Sequence, residues 1–170
     1  YEDLALPIGY QQTISQPYIV ARMTESLIEG DKMNEVPINH CLEIGTGCGY
    51  QTYILSLFSK KVTSVERIEP LQDKAKETLK NLGVRNVTFK IDDGNNLGRL
   101  KYDAILSAAA PLSVPSSLKE RLAIGGRLIL PVGDSQRQVL TLIHRIDNES
   151  FEEKRLEDVL FVPLLKGIVS

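Results

Sequence analysis

The segment "LEIGTGCGY", residues 42–50, decides the fold. Its three glycines, Gly45, Gly47 and Gly49, follow a short apolar-rich run, "PINHCLEI" (37–44), and precede "YQTYILSLF" (50–58). An apolar run that breaks into glycines and resumes with helical spacing predicts strand, glycine loop and helix. Outward from it the pattern repeats. "KVTSVE" (61–66) is strand-like, Pro70 opens a helix that ends near Leu82 with Gly83 as its stop, and "NVTFKI" (86–91) is the next strand. "YDAILS" (102–107) follows as a strand, "PSSLKERLAIGG" (115–126) as a short helix and "RLILPVG" (127–133) as a fifth strand. Such alternation builds a doubly wound, Rossmann-like α/β sheet. In the tail, "RQVLTLIHRI" (137–146) and "DVLFVPLL" (158–165) read as strands joined across the turn "DNES". That connection is too short for a right-handed crossover, so the mostly parallel sheet is expected to end in an antiparallel hairpin. Upstream, "GYQQTISQPYIVARM" (9–23) reads as a loop that turns into a helix over 17–29, capped by Ser15 and stopped by Gly30.

At 170 residues, with no internal repeat, low-complexity tract or linker, the chain is expected to form one domain over 1–170. Hydrophobic residues make up 42% and charged residues 25%, a composition that excludes overall disorder. The net charge is −2, and no basic cluster exceeds the pair Lys60 and Lys61, which argues against nucleic acid as a partner. No apolar run approaches the ~20 residues that span a bilayer, and the first residues lack the pattern of a secretory leader. No membrane partner is expected, and the cytoplasm is the expected location. Cys41, Cys48, His40 and His144 have no zinc-site spacing, so no metal is expected.

The glycine loop alone is a weak signal, since glycines also serve tight packing. Glu66 sharpens it: it ends the second strand, 17 residues after Gly49, where a carboxylate can accept hydrogen bonds from both hydroxyls of a ribose. Asp93 and Gly94 end the third strand beside the same crevice, where a short acid can accept from an adenine amino group or simply close a turn. Two adenosine-containing cofactors compete. Dinucleotide sites usually show G-x-G-x-x-G, whereas the spacing here is G-x-G-x-G with Tyr50 after it. Glu43, two residues before the first glycine, would repel phosphate and suit a cationic ligand. S-adenosyl-L-methionine combines adenosine with a sulfonium, and E-x-G-x-G-x-G is the form seen in methyltransferases that use it.

Seven blocks then coincide with one family. "LPIGYQQTISQPYIVARMTE", "LEIGTGCGY", "VTSVERIEPL", "DDG", "YDAILSAAAP", "LAIGGRLILPVG" and "FVPLLKG", in order from Leu6 to Gly167, closely resemble the protein-L-isoaspartate (D-aspartate) O-methyltransferases, bacterial type. The resemblance implies the S-adenosylmethionine-dependent methyltransferase fold. It also implies methyl transfer to the free carboxylate of an L-isoaspartyl or D-aspartyl residue in a damaged protein, with S-adenosyl-L-homocysteine as product. The ester then cyclises to a succinimide that reopens partly to aspartate, so the implied function is repair. By the same resemblance Ser15 is the active-site residue. Gly45, Gly47, Cys48, Gly49, Glu66, Asp93 and Gly94 bind the cofactor, Thr13, Ile14, Ala109 and Pro111 shape the substrate site, and the protein is a monomer. A carboxylate is already ionised at neutral pH and needs aim rather than a base, which a hydroxyl-bearing loop over the cofactor supplies. Tyr10, Gln11, Gln12 and the "VPLL" segment (162–165) are further candidates for the cover.

Two positions depart from the family pattern: Cys48 stands where a small residue such as Ser is usual, and Asp92 where Gly is usual. The additional carboxylate at Asp92 raises local negative charge, which is tolerable if it points to solvent. Relatives also carry further, mostly helical residues ahead of the equivalent of Tyr1, so a shortened chain is expected. Three other readings stand beside repair: a methyltransferase of this fold with a different carboxylate or small-molecule substrate, a non-catalytic cofactor-binding module, and, least favoured by the glycine spacing, a nicotinamide dehydrogenase.

Overall fold

The computed structural model describes residues 2–28, 38–94 and 98–170. A seven-stranded sheet runs in the order β5-β4-β3-β6-β7-β8-β9. Its strands are β3 (Ile38–Ile44), β4 (Ser59–Glu66), β5 (Val87–Ile91), β6 (Tyr102–Ser107), β7 (Leu122–Gly133), β8 (Gln138–Arg145) and β9 (Phe151–Val159). β3 pairs in parallel with both β4 and β6, β4 with β5, and β6 with β7, while β7, β8 and β9 are antiparallel. The strand order therefore reverses at β3, and the carboxyl ends of β3, β4 and β6 open the crevice in which doubly wound sheets bind ligands. The helices are α1 (Pro17–Ile28), α2 (Tyr50–Phe58), α3 (Glu69–Asn81) and α4 (Ser116–Arg121).

Alternation along β3 sets the two cores. Cys41 faces α1 and α2 and packs with Ile19, Met23 and Leu55, whereas Leu42 and Ile44 face Leu118 of α4 on the other side. Glu43 shares the face of Cys41 and is drawn under the first turn of α2. The expected strand, loop and helix around the glycines match the structure at β3 and α2; Pro37, with Glu29 and Gly30 of the expected helix stop, lies outside the described residues.

The structure differs from the sequence reading at four places, each for a physical reason. Residues 122–126 belong to β7 rather than to a helix. Gly126 lies so close to β6 that a Cβ there would meet Tyr102 O at 3.0 Å and Asp103 O at 3.1 Å, and the pairing skips from Leu122 to Arg127 across this bulge. The last strand is the charged "FEEKRLEDV" of β9, not residues 158–165; as the edge strand it pairs only with β8 and keeps its outer side chains in water. The segment 9–14 is no plain loop: β1 (Leu6–Gly9) and β2 (Gln12–Ile14) form a hairpin separate from the main sheet. Tyr10 (φ 54°) and Gln11 (φ 57°) make its turn with positive φ at both central positions, a conformation usually given to Asn or Gly. Finally, the Tyr18 N–H in the first turn of α1 is capped by the Asp3 carboxylate at 2.9 Å, not by Ser15, whose side chain is thereby left for another role.

Candidate functional site

The glycine loop starts where β3 ends. Gly45, Gly47 and Gly49 all have positive φ (94°, 53° and 87°), which side-chain-bearing residues rarely adopt. Gly45 N–H and Thr46 N–H donate to Val65 O at 2.8 and 3.3 Å, which ties the loop to β4. The three glycines do different work. Gly45 and Gly47 line a groove, and a Cβ at either would meet Ala108 or Ile8 at 3.3 Å. Gly49 does not line it: a Cβ there would meet Leu79 Cδ1 at 2.9 Å and Ala75 Cβ at 3.2 Å, so this glycine lets α3 pack against the loop.

Glu66, 6% exposed at the end of β4, is the hub of the site. Its Oε2 accepts from Gly47 N–H at 2.9 Å, and its Oε1 accepts from Arg67 N–H at 2.8 Å and Ile68 N–H at 3.0 Å. A carboxylate offers about four acceptor positions, so three are in use and Oε2 retains room for one more donor. A second ribose hydroxyl can bond this carboxylate only if one of the three amides gives up its bond. Beside it Asp92 lines the groove rather than pointing away from it, and accepts from Gly94 N–H at 2.8 Å. Asp93 also lines the groove, and its Oδ2 accepts from Gly167 N–H at 2.8 Å.

Three segments distant in sequence complete the walls. Ile8, Gln11, Gln12 and Thr13 of the β1–β2 hairpin form one, and Ala108 and Ala109 beyond β6 another. The third is the run Val162 to Leu165. Its apolar residues read as a strand because they are continuous, yet they cross the sheet's carboxyl end, pinned by Ala110 N–H to Val162 O (2.8 Å) and Leu164 N–H to Ala110 O (2.9 Å). The tail continues to Val169, which bonds both to Arg67 O and to Glu69 N–H, while Arg67 Nε donates to Gly167 O at 2.9 Å. This strap was beyond sequence reasoning except for the "VPLL" run, since its partners, Ala110, Arg67 and Glu69, lie far upstream in the chain.

Glu43 does not enter the groove as expected. It is fully buried, and Oε2 accepts from Thr52 Oγ1 at 2.6 Å and Ser64 Oγ at 2.5 Å, with Thr46 Oγ1 hydrogen-bonded to Ser64 in turn. Its Oε1 has no partner among the described residues. Burial pushes this carboxyl up to about 8, against the opposing pull of the two hydroxyls. Glu43 is thus a neutral strut beneath the loop at pH 7, and the charge preference of the groove comes from elsewhere. Among its described lining residues Glu66, Asp92 and Asp93 face a single cation, Arg67, an arrangement that suits a cationic adenosine ligand and opposes a pyrophosphate.

Ser15 lies in a second pocket of about 80 Å³ that shares Thr13, Ala108 and Val162 with the groove. Of the other expected site residues, Cys48 is half-buried in the loop and lines neither pocket, Gly94 (φ 82°) packs against Ile44, and Ile14 is held in the hairpin opposite Leu6. Pro111 O accepts from Gly133 N–H, and Pro111 lines neither pocket.

A family model described as "Protein-L-isoaspartate(D-aspartate) O-methyltransferase (PCMT)" matches residues 1–168. The chain belongs to this family. Protein-L-isoaspartate O-methyltransferases of Saccharophagus degradans and Alcanivorax borkumensis are 54% and 48% identical to it, over 99% of the chain and 74% and 75% of their own lengths. Among solved structures, a Plasmodium falciparum protein described as a putative protein-L-isoaspartate O-methyltransferase, in complex with S-adenosyl-L-homocysteine, superposes with a TM-score of 0.80 at 26% identity, covering 98% of this chain and 82% of that one. The methyltransferase fold and the family resemblance expected from the sequence both hold.

Proposed function

We infer that this protein is a repair methyltransferase that moves a methyl group from S-adenosylmethionine to the free carboxylate of L-isoaspartyl or D-aspartyl residues in damaged proteins. The observation that carries the reading is the meeting of two pockets at Thr13, Ala108 and Val162: one acid-lined and built on the glycine loop, the other holding Ser15. Glu66 and Asp93 would hold the nucleoside, Gly45 and Gly47 would let the backbone approach it closely, and the acidic lining fits the positive charge of the cofactor. When bound, S-adenosylmethionine supplies an electrophilic methyl on sulfonium, which a carboxylate oxygen takes as the carbon–sulfur bond breaks and its electron pair stays on sulfur. No proton has to move, so the protein's task is positioning. The Ser15 hydroxyl would donate to the incoming carboxylate, with Thr13 fixing the loop between the pockets. The hairpin and the strap would keep water from the junction.

Protein substrates imply a cytoplasmic monomer working on exposed, damaged segments, and no helix of the described residues is long and apolar enough to cross a membrane. The test is transfer of labelled methyl to an L-isoaspartyl peptide beside its aspartyl twin, with Ser15→Ala run in parallel. Labelling of the isoaspartyl peptide alone, sharply reduced in the variant, is expected. Labelling of neither peptide by a protein that binds the cofactor would overturn the reading.

A further inference from the structure

We propose that the Ser15 pocket is also a specificity subsite, taking a small aliphatic side chain from the residue that precedes the isoaspartate; this rests on the isoaspartyl reading above. Besides Thr13, Ser15, Gln16 and Asp158 its lining is apolar, with Ala5, Ile19, Ala108, Val159, Leu160 and Phe161 among it. Because the pocket shares Thr13, Ala108 and Val162 with the groove, the carboxylate that accepts the methyl has to stand at that common wall, and its nearest neighbour in the peptide is directed onward into the pocket.

The chemistry of the damaged residue says which neighbour that is. In an isoaspartyl unit the chain leaves through the side-chain carbonyl, so an extra methylene separates the α-carbon from the residue that follows. The preceding residue keeps the ordinary α-carbon spacing of ~3.8 Å across its peptide bond, and it is the closer of the two.

Size and charge select within this class. A cavity of ~150 Å³ holds a benzene ring. At about 80 Å³ this pocket suits valine or leucine and is too small for the indole of tryptophan. Its one charged lining residue, Asp158, is ion-paired with Arg137 at 3.6 Å, and the nearby Glu157 carboxylate is taken by Arg22 (3.4 Å) and the Tyr18 hydroxyl (3.2 Å). Among the described lining residues there is no cation to receive an acidic side chain, which would lose its hydration against the apolar part of the wall.

The test is a series of L-isoaspartyl peptides that differ only at the preceding position, bearing Ala, Val, Leu, Trp, Asp or Lys. Val and Leu should exceed Asp and Trp in kcat/KM by roughly tenfold or more. Equilibrium binding of the same peptides to protein saturated with S-adenosylhomocysteine should follow the same order. Leu160→Asp, at a position 78% exposed, should weaken the Val peptide, strengthen the Lys peptide and leave S-adenosylhomocysteine affinity unchanged. Ala5→Trp, from another exposed lining position, should fill the pocket and move the preference toward Ala. Equal kcat/KM across the series overturns the subsite and leaves the repair reading intact. Failure to methylate any peptide of the series overturns both.

Discussion

Replacing Glu43 by Gln should make the protein more stable, and increasingly so as the pH rises. In the unfolded chain this carboxyl titrates near its ordinary 4.5, and in the fold burial raises it to about 8. Between those values the native state keeps a proton that the unfolded state has released, so stability falls as pH rises through the window. Each pH unit within it costs about 1.4 kcal/mol. The loss is therefore about 3 kcal/mol by pH 7, with a ceiling near 5 kcal/mol once both states are ionised. Gln keeps a carbonyl for the Thr52 and Ser64 hydroxyls but does not titrate. The difference between variant and parent isolates this one group, because every other titration cancels. At roughly 2–4 °C per kcal/mol for a chain of this size, the melting temperature of Glu43→Gln should gain on the parent by about 7–14 °C between about pH 5 and about pH 8. Parallel thermal melts across that range, without ligand, read the effect. A difference in melting temperature that stays constant with pH would show that Glu43 is ionised in the fold and would refute the neutral-strut account.

Three other changes probe the loop and the hairpin. Glu66→Ala removes the acceptor for three backbone amides and should weaken S-adenosylhomocysteine binding about 10- to 100-fold by calorimetry, since hydrogen bonds to a charged group are worth roughly 1.5–3 kcal/mol; unchanged affinity would remove Glu66 from the nucleoside site. Gly49→Ala combines a positive φ with a 2.9 Å contact to Leu79 and should cost about 2–3 kcal/mol in urea unfolding, even though Gly49 does not line the groove. Tyr10→Asn places a residue suited to positive φ in the hairpin turn and should slow amide exchange at Gln12 and Thr13 by a few-fold, with no change in the main sheet.

Much of this was legible in the sequence, for reasons that can be named. β3, the glycine loop and α2 announce themselves because apolar alternation, glycine punctuation and helical spacing all agree within two dozen residues. Glu66, Asp93 and Thr13 reach the groove because strand ends and the loop before α1 have few other places to go. The misses share a cause: residues whose patterns are set by partners far away. β9 is charged because it is an edge, and residues 160–165 are apolar because they wall a groove, so a period-based reading exchanges them. The hairpin hides because Tyr10 and Gln11, rather than Asn and Gly, make its turn. Glu43 looked like a ligand contact from its spacing to the glycines, yet alternation from Cys41 turns it under α2, and only the depth of burial there makes it neutral.

One peptide carrying both an L-isoaspartate and an ordinary aspartate, incubated with the protein and S-adenosylmethionine and read by tandem mass spectrometry, tests the central claim within a single molecule. The account predicts one added methyl, located on the isoaspartyl carboxylate and lost on mild alkaline treatment. A methyl on the ordinary aspartate, on both residues or on neither would contradict it.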